Sequence, residues 1–166
     1  MLDTKINTRE DLESGLKNIP ILGELPFDDS LDDNDFRGIT AEATRVIRSS
    51  LSFLLKKQKC NIIVVTSTTK GEGKSFVAYN LATSYSALGK KVILIGGDLR
   101  NPQIHNRIGV SRIGSGVSTY LADKDYNDID SLIMKVNSSK STDVILSGPI
   151  PPNPSELLMS PRMKEL

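Results

Sequence analysis

The apolar positions of this chain form short continuous runs and longer stretches with helical spacing. The continuous runs are rich in β-branched residues and occupy residues 61–67, 91–97 and 143–147. Such runs are typical of strands that are buried on both faces of a parallel sheet. Apolar residues spaced by three or four positions predict helices over residues 39–58 and 75–88. The alternation of strand and helix predicts a βαβ unit, and hence a three-layer α/β/α fold with a mostly parallel sheet.

Capping residues give the expected limits of several elements. Thr40 is the expected N-cap of the first long helix, and Ser155 is the expected N-cap of a final helix. The segment from Asp11 to Leu16 is compatible with a short helix. Residues 114–122 and 127–136 have patterns that are helical or mixed.

Charge divides the chain into an acidic arm and a basic body. Residues 1–36 carry ten Asp or Glu against three Lys or Arg, whereas residues 37–166 carry eighteen Lys or Arg against ten Asp or Glu. The run at 28–35 is typical of a disordered or loop segment. We therefore expect residues 1–36 to be a solvated arm, with docking onto the body as the alternative, and residues 37–166 to form the folded domain.

Composition limits the compartment and the chemistry. Cys60 is the one cysteine in the chain, so neither an internal disulfide nor a cysteine metal cluster can form, as expected in a reducing cytoplasm. The sequence has no signal peptide and no apolar run near the length of a membrane span. The chain itself is therefore expected to be cytoplasmic, which leaves open the location of a longer parent protein.

A glycine-rich turn, Gly71-Glu72-Gly73-Lys74-Ser75, joins the first predicted strand to the second long helix. This arrangement is typical of a phosphate-binding loop, because backbone N–H groups and the positive end of the helix dipole point at anionic oxygens. Lys74 is expected to reach the β- and γ-phosphates of a nucleotide, and the Ser75 hydroxyl to bind Mg²⁺. The expected nucleotide contacts run along the loop into the helix: Thr69, Lys70, Gly71, Glu72, Gly73, Lys74, Ser75 and Phe76.

The match to the phosphate-loop pattern is incomplete. The full pattern requires a glycine five residues before Gly73, and Thr68 occupies that position. The alternative interpretation is a tight strand-to-helix turn with an exposed lysine.

A second candidate cluster, Gly96-Gly97-Asp98-Leu99-Arg100, follows the second predicted strand. Ligands of open parallel sheets bind at the carboxyl ends of the strands, so Asp98 is expected to face the phosphate loop and to hold Mg²⁺ or its waters. Arg100 is expected either to contact phosphate or to tie down the loop. The alternative for Asp98 is that it caps the next turn, as aspartates in loops do.

Together these motifs resemble those of the bacterial tyrosine kinases, which are relatives of the partition and septum-positioning ATPases. Asp98-Leu99-Arg100 at the end of an apolar strand is similar to the family's second nucleotide motif. Residues 42–48, Glu-Ala-Thr-Arg-Val-Ile-Arg, resemble its Glu-x-x-Arg-x-x-Arg subunit-contact motif. Residues 148–158 resemble its Gly-x-x-Pro-Pro-Asn-Pro-x-Glu-Leu-Leu segment, and residues 20–26 resemble the segment that follows the last membrane span in fused forms.

The resemblance implies a P-loop ATP-binding domain that belongs, in the complete protein, to a tyrosine autokinase of capsular or exopolysaccharide synthesis and export. Lys74 and Asp98 would serve catalysis, with Mg²⁺ held by Ser75 and Asp98 and with Arg100 at the phosphates. The implied partners are further copies of the chain in a ring-like homo-oligomer and a membrane activator domain, fused or separate. The resemblance implies no nucleic acid, and it places the parent protein at the inner face of the plasma membrane.

The subunit contact would be made by Glu42, Arg45 and Arg48. Spaced by three, these residues lie along one side of the predicted helix. The same spacing is also compatible with an exposed ladder of salt bridges that contributes little to stability.

The chain departs from the family pattern in ways that affect activity. Gly96 replaces the first Asp of the family's Asp-x-Asp, a carboxylate implicated there as the base and as part of the metal shell. Lys70 stands where the family often has proline. The third nucleotide motif and the tyrosine-rich tail would lie beyond Leu166. We therefore expect a C-terminally truncated domain that is inactive as a kinase on its own.

Two alternative functions remain. One is an ATPase switch of the partition or septum-positioning type, against which Thr69 counts, because that group has a signature lysine at this position. The other is a non-catalytic scaffold that binds nucleotide and assembles rings, which Gly96 favours.

Overall fold

The computed structural model describes residues 8–16, 18–26, 38–56, 60–111, 114–136 and 142–166. The acidic run predicted to be disordered, residues 28–35, lies outside them. The helices are α1 (Arg9–Gly15), α2 (Ile39–Leu54), α3 (Lys74–Ser86), α4 (Ile104–Arg107), α5 (Val117–Ala122) and α6 (Pro154–Leu158), with 3-10 helices at Asp130–Leu132 and Pro161–Lys164. The strands are β1 (Val92–Ile95), β2 (Met134–Val136) and β3 (Thr142–Ile145).

The sheet has the strand order β1-β3-β2. β1 and β3 are parallel, with Val92 opposite Thr142 and Ile95 opposite Ile145. β2 runs antiparallel to β3 and forms the edge of the sheet that lies opposite β1. The predicted α/β fold is confirmed, with strands at two of the three predicted positions.

Consecutive residues of β3 point into two separate cores. Val144 and Ile145 are each 1% exposed, and they lie on opposite faces of the sheet because side chains alternate along a strand. Val144 packs with Tyr79, Ala82, Leu94, Ile104 and Leu146, beneath α3 and α4. Ile145 packs with Leu99, Val117, Tyr120, Leu121, Leu132 and Leu157, beneath α5 and α6. Helices therefore cover both faces, which confirms the predicted three layers.

The strand predicted over residues 61–67 is not formed, and this prediction was wrong. Ile62 is 89% exposed and Val64 is 81% exposed, and within the described part of the chain no strand pairs with this segment. A β-branched run acquires strand structure from cross-strand hydrogen bonds and packing rather than from intrinsic preference alone. The apolar pattern of residues 61–67 thus identifies a segment suited to a sheet but without a partner.

The first long helix begins before its predicted cap. Gly38 is the N-cap of α2, and its carbonyl accepts hydrogen bonds from the N–H groups of Ala41 and Glu42 at 3.0 and 3.3 Å. Thr40 lies inside the first turn instead, where its carbonyl accepts from the Thr44 hydroxyl at 2.8 Å. The helix ends at Leu54, earlier than predicted.

The bounds of other elements also differ from those that the sequence predicts. The final helix begins at Pro154 with Asn153 as N-cap, so Ser155 is not the cap. Proline is favoured at the first helical position because that N–H has no partner within a helix. The segment 127–136, predicted as helical or mixed, contains a 3-10 turn followed by β2. The short N-terminal helix is confirmed, and it starts at Arg9 behind a capping box made by Thr8 and Asp11.

Among the described residues, no helix combines the length and the apolar character that crossing a bilayer requires.

Candidate functional site

The glycine-rich loop turns directly into α3. Gly71 and Gly73 have φ angles of +94° and +85°, a left-handed conformation that glycine adopts without steric penalty. Gly73 is the N-cap of α3, and its carbonyl accepts from the Val77 N–H at 2.9 Å. The N–H groups of the first helical turn lack partners within the helix and carry the positive end of its dipole. The backbone of the loop is therefore compatible with the predicted phosphate-binding turn, although the strand predicted before it is not formed.

A cavity of about 690 Å³ lies in front of this helix end. This is within the volume range, roughly 300–1,000 Å³, that is typical of small-molecule sites. Its lining comes from the loop and from the segment after β1: Lys70, Gly71, Gly73, Lys74, Ser75, Phe76, Asp98, Asn101, Gln103, Asn106 and Arg107. The structure thus brings the two candidate clusters together, as the strand-end argument predicts.

Asp98 fits both interpretations of its sequence context. Its Oδ1 accepts hydrogen bonds from the N–H groups of Arg100 and Asn101, at 3.1 and 2.9 Å. These bonds form the turn that follows β1. The same carboxylate lines the cavity together with Lys74 and Ser75, so the turn places a negative charge in the cavity that the glycine-rich loop also lines.

The cavity residues are compatible with a magnesium ion bound together with a nucleotide. Ser75 and Asp98 contribute a hydroxyl and a carboxylate to the lining of one cavity, and Mg²⁺ prefers such oxygen ligands. Within the described ranges, no three His, Cys, Asp or Glu side chains come together as a metal site. Mg²⁺ in nucleotide sites uses one or two carboxylates and takes its other ligands from phosphate and water. Ser75 and Asp98 would therefore hold it only in part.

Glu72 binds back onto its own loop. Its Oε2 accepts from the N–H groups of Thr68 and Thr69, at 2.9 and 3.1 Å, and its Oε1 accepts from the Thr68 hydroxyl at 2.9 Å. The hydrogen bonds from Thr69, and after them those from Thr68, favour the charged carboxylate and lower the pKa of Glu72 from 4.5 to about 2. Glu72 is therefore an internal anion of the loop.

We expect the Glu72 carboxyl group to titrate with a midpoint near 2 rather than 4.5. Because the folded-state pKa is depressed, the stabilising effect of these bonds is fully present above pH 4.5 and is lost as the pH falls through 2. A carbon-detected NMR titration of the carboxyl resonance measures this directly. The Thr68→Val variant should move the midpoint upward, and a wild-type midpoint close to 4.5 would contradict the hydrogen-bond pattern.

Several predicted nucleotide contacts do not line the cavity. The Thr69 N–H donates to the Glu72 carboxylate, and neither residue is among those that line the cavity. The Arg100 guanidinium donates to the Ser155 hydroxyl at 2.7 Å, and so ties the segment after β1 to α6. This bond joins Arg100 to α6, and the contact predicted for Arg100 with phosphate or with the phosphate loop stays a prediction.

Part of the cavity lining was not predicted from the sequence. Asn101, Gln103, Asn106 and Arg107 come from the segment after Asp98 and from α4. Asn106 donates to the Gln103 side chain at 3.0 Å, and the Arg107 guanidinium lies 5.0 Å from the centre of the Phe76 ring, a cation–π distance. The available signal was the run of amide side chains directly beyond a strand end, where ligands of α/β sheets bind.

Comparison with known proteins identifies relatives along nearly the whole chain. Tyrosine-protein kinase YwqD of Bacillus subtilis is 38% identical over 130 residues, which are 78% of this chain and 53% of that protein. Tyrosine-protein kinase etk of Escherichia coli K12 is 38% identical over 151 residues, which are 90% of this chain and 19% of that protein. The solved kinase domain of Escherichia coli ETK superposes with a TM-score of 0.83 at 33% identity, over 95% of this chain and 66% of that one. The solved chimerical protein CapA2B2 superposes with a TM-score of 0.80 at 35% identity, over 95% of this chain and 68% of that one.

The chain belongs to the bacterial tyrosine kinase family.

Each match covers most of this chain but a smaller share of the relative. The chain spans about half of YwqD and about a fifth of etk. No family model matches the chain.

The subunit-contact motif of the kinase family divides into two parts in this structure. Glu42 and Arg45 form an ion pair at 2.6 Å, with side chains that are 67% and 48% exposed. The Arg48 Nη1 instead donates to the carbonyl and the hydroxyl of Ser84, at 3.0 and 2.8 Å. Arg48 therefore joins α2 to α3 within one chain, while Glu42 and Arg45 lie at the surface.

The kinase-family aspartate position is tightly enclosed in this chain. Gly96 is buried, and its N–H donates to the Ile145 carbonyl at 2.8 Å, which extends the β1–β3 pairing. A Cβ added at Gly96 would lie 2.6 Å from the Ser147 Oγ and 2.8 Å from the Ser147 backbone nitrogen. The close approach of the two strand ends thus depends on glycine at this position.

Proposed function

We propose that this chain is the ATP-binding part of a protein-tyrosine autokinase that regulates capsular or exopolysaccharide synthesis and export. The observation that carries the proposal is the cavity that combines the phosphate loop with Asp98, in a chain of the bacterial tyrosine kinase family. Relatives that belong to polysaccharide systems by name, such as the tyrosine-protein kinase in the cps region of Klebsiella pneumoniae, support the biological role.

Lys74 and the first turn of α3 bind the β- and γ-phosphates in this proposal. Ser75 and Asp98 would hold the Mg²⁺ that accompanies ATP, which would supply charge neutralisation at the phosphates. Loop residues Gly71 and Gly73 let the backbone approach the phosphates closely. Catalysis then consists mostly of positioning and of charge stabilisation around the γ-phosphoryl group.

The reaction transfers the γ-phosphoryl group to a tyrosine hydroxyl. The tyrosine oxygen forms a bond to the γ-phosphorus, the bond from that phosphorus to the bridging oxygen breaks, and ADP leaves with the bond electrons. The tyrosine proton passes to a base. Gly96 cannot accept it, so Asp98, the carboxylate that lines the cavity, is the candidate base on this chain.

The proposed assembly is a ring-like homo-oligomer at the inner face of the plasma membrane, activated by a fused or separate membrane domain. Glu42 and Arg45 are exposed on α2 and are available to a neighbouring subunit. Arg48 would contribute indirectly, by fixing α2 against α3 through Ser84.

The decisive experiment is an anti-phosphotyrosine blot and intact-mass measurement of the complete protein with and without Mg-ATP. We expect phosphotyrosine that requires Mg-ATP and that disappears in the Asp98→Asn variant, because the amide neither accepts the proton nor binds the cation as a carboxylate does. The Asn153→Ala variant, altered on an exposed residue that starts α6, is the folding control and should keep its activity.

Two outcomes would replace this proposal. ATP hydrolysis coupled to dimerisation without phosphotyrosine would indicate an ATPase switch. Nucleotide binding with neither hydrolysis nor phosphotyrosine would indicate a scaffold, the alternative that Gly96 favours.

A further inference from the structure

The phosphate loop lacks the first glycine of its pattern and contains a bonded pair in its place. Thr68 occupies the glycine position, and both its N–H and its hydroxyl donate to the Glu72 carboxylate. The Thr69 N–H donates to the same carboxylate. The Ser67 hydroxyl donates to the Thr69 carbonyl at 2.9 Å and closes the outer part of the loop. The segment from Ser67 to Glu72 is therefore folded on itself through side-chain bonds.

These bonds separate the loop donors into two groups. The N–H groups of Thr68 and Thr69 point to Glu72, whereas Gly71, Gly73, Lys74 and Ser75 line the cavity. A carboxylate at a phosphate would be repelled, and Glu72 is not among the lining residues. Glu72 is thus bonded to its own loop and is not one of the residues that line the cavity.

We propose that Glu72 is a positioning residue, which together with Thr68 holds the phosphate loop in its nucleotide-binding shape. The proposal rests on the proposed nucleotide function of the loop. A loop ordered before binding loses less conformational freedom when the ligand arrives, so its affinity is higher. In this chain the hydrogen bonds between Thr68 and Glu72 order the loop, and Thr68 occupies the position where the full pattern has a glycine. The Glu72 carboxyl is ionised in the physiological range, and its lowered pKa shows that the bonds from Thr69 and Thr68 favour the charged form.

A double-mutant cycle tests the pair, with Mg-ADP as the probe in titration calorimetry. We expect Glu72→Ala to weaken binding about tenfold, and Thr68→Val, which removes only the hydroxyl donor, about threefold. The double variant should bind no more weakly than Glu72→Ala, because both changes remove one interaction. Glu72→Gln keeps an acceptor oxygen and should show an intermediate loss.

Two controls distinguish positioning from general effects. Glu165→Ala makes the same change in net charge in the C-terminal segment, on the opposite face of the sheet from α3, and should leave Mg-ADP affinity unchanged. The unfolding midpoint of Glu72→Ala should fall only by the loss of its loop bonds and should stay above the temperature of the binding experiment, so that the variant is folded when its affinity is measured. Additive losses in the cycle, a loss below twofold for Glu72→Ala, or a loss that disappears once affinity is corrected for the unfolded fraction would overturn the proposal.

Failure of the proposed nucleotide function and failure of this inference give different experimental results. If the wild type does not bind Mg-ADP, the nucleotide function of the loop fails, and Glu72 loses its functional role with it. The carboxyl titration still reports whether the Thr68–Glu72 bonds exist. If the wild type binds and Lys74→Ala does not, the loop function stands, and the cycle alone decides the role of Glu72.

Discussion

Replacing Lys74 with alanine is expected to abolish measurable ATP binding, a loss of about 100-fold or more in affinity. Lys74 is the first residue of α3, and it lines the cavity directly after Gly73. Its ammonium group is expected to donate charge-assisted hydrogen bonds to two phosphate groups, each contributing roughly tenfold or more. Titration calorimetry with Mg-ATP on wild type and variant measures the difference.

The control for this prediction is Lys90→Ala, which removes an exposed lysine beyond the other end of α3. We expect the control to bind Mg-ATP like the wild type and both variants to unfold at the wild-type temperature. Alanine favours helix, so the substitution at the start of α3 should not disturb folding. Unchanged affinity in Lys74→Ala would mean that the loop is only a strand-to-helix turn.

The sequence correctly predicts the strands that find a partner in the sheet, but it cannot show which of the predicted strands will find one. Residues 92–95 and 142–145 form strands as expected, because they pair with each other and because helices pack against both faces of β3. Residues 61–67 have the same β-branched character but pair with no strand in the described part of the chain, and Ile62 and Val64 are exposed. Pattern alone cannot separate these cases, since strand structure depends on a neighbour that lies elsewhere in the chain.

Within the site, the motif positions were predictable and the hydrogen-bond partners were not. Lys74, Ser75 and Asp98 meet at one cavity because a helix start and a strand end are placed by the topology. Two arginines with several possible partners form hydrogen bonds that were not predicted: Arg100 donates to Ser155, and Arg48 donates to Ser84. Long flexible cations are placed by tertiary contacts that no local spacing encodes.

Restoring the family's aspartate with Gly96→Asp is expected to destabilise the protein by about 1–3 kcal/mol, without supplying a usable carboxylate. A Cβ at this position would lie 2.8 Å from the Ser147 backbone nitrogen, a contact that side-chain rotation cannot relieve. The ends of β1 and β3 would have to separate, although the Gly96 N–H to Ile145 carbonyl bond holds them together. Chemical denaturation of variant and wild type measures the loss.

The neighbouring glycine provides a matched control, because a Cβ added at Gly97 meets no atom within 4 Å. We expect Gly96→Ala to lose nearly as much stability as Gly96→Asp, and Gly97→Ala to lose little, because the clash arises at the β-carbon. Equal stability of the two alanine variants would show that the strand ends can move apart to admit a β-carbon. The glycine at position 96 would then have no packing role, and its only effect would be the absence of the family's carboxylate. A loss confined to position 96 would instead mean that β1 and β3 require glycine at this position in order to pack. The base of the proposed phosphoryl transfer must then come from another residue, and Asp98 is the nearest candidate in the sequence.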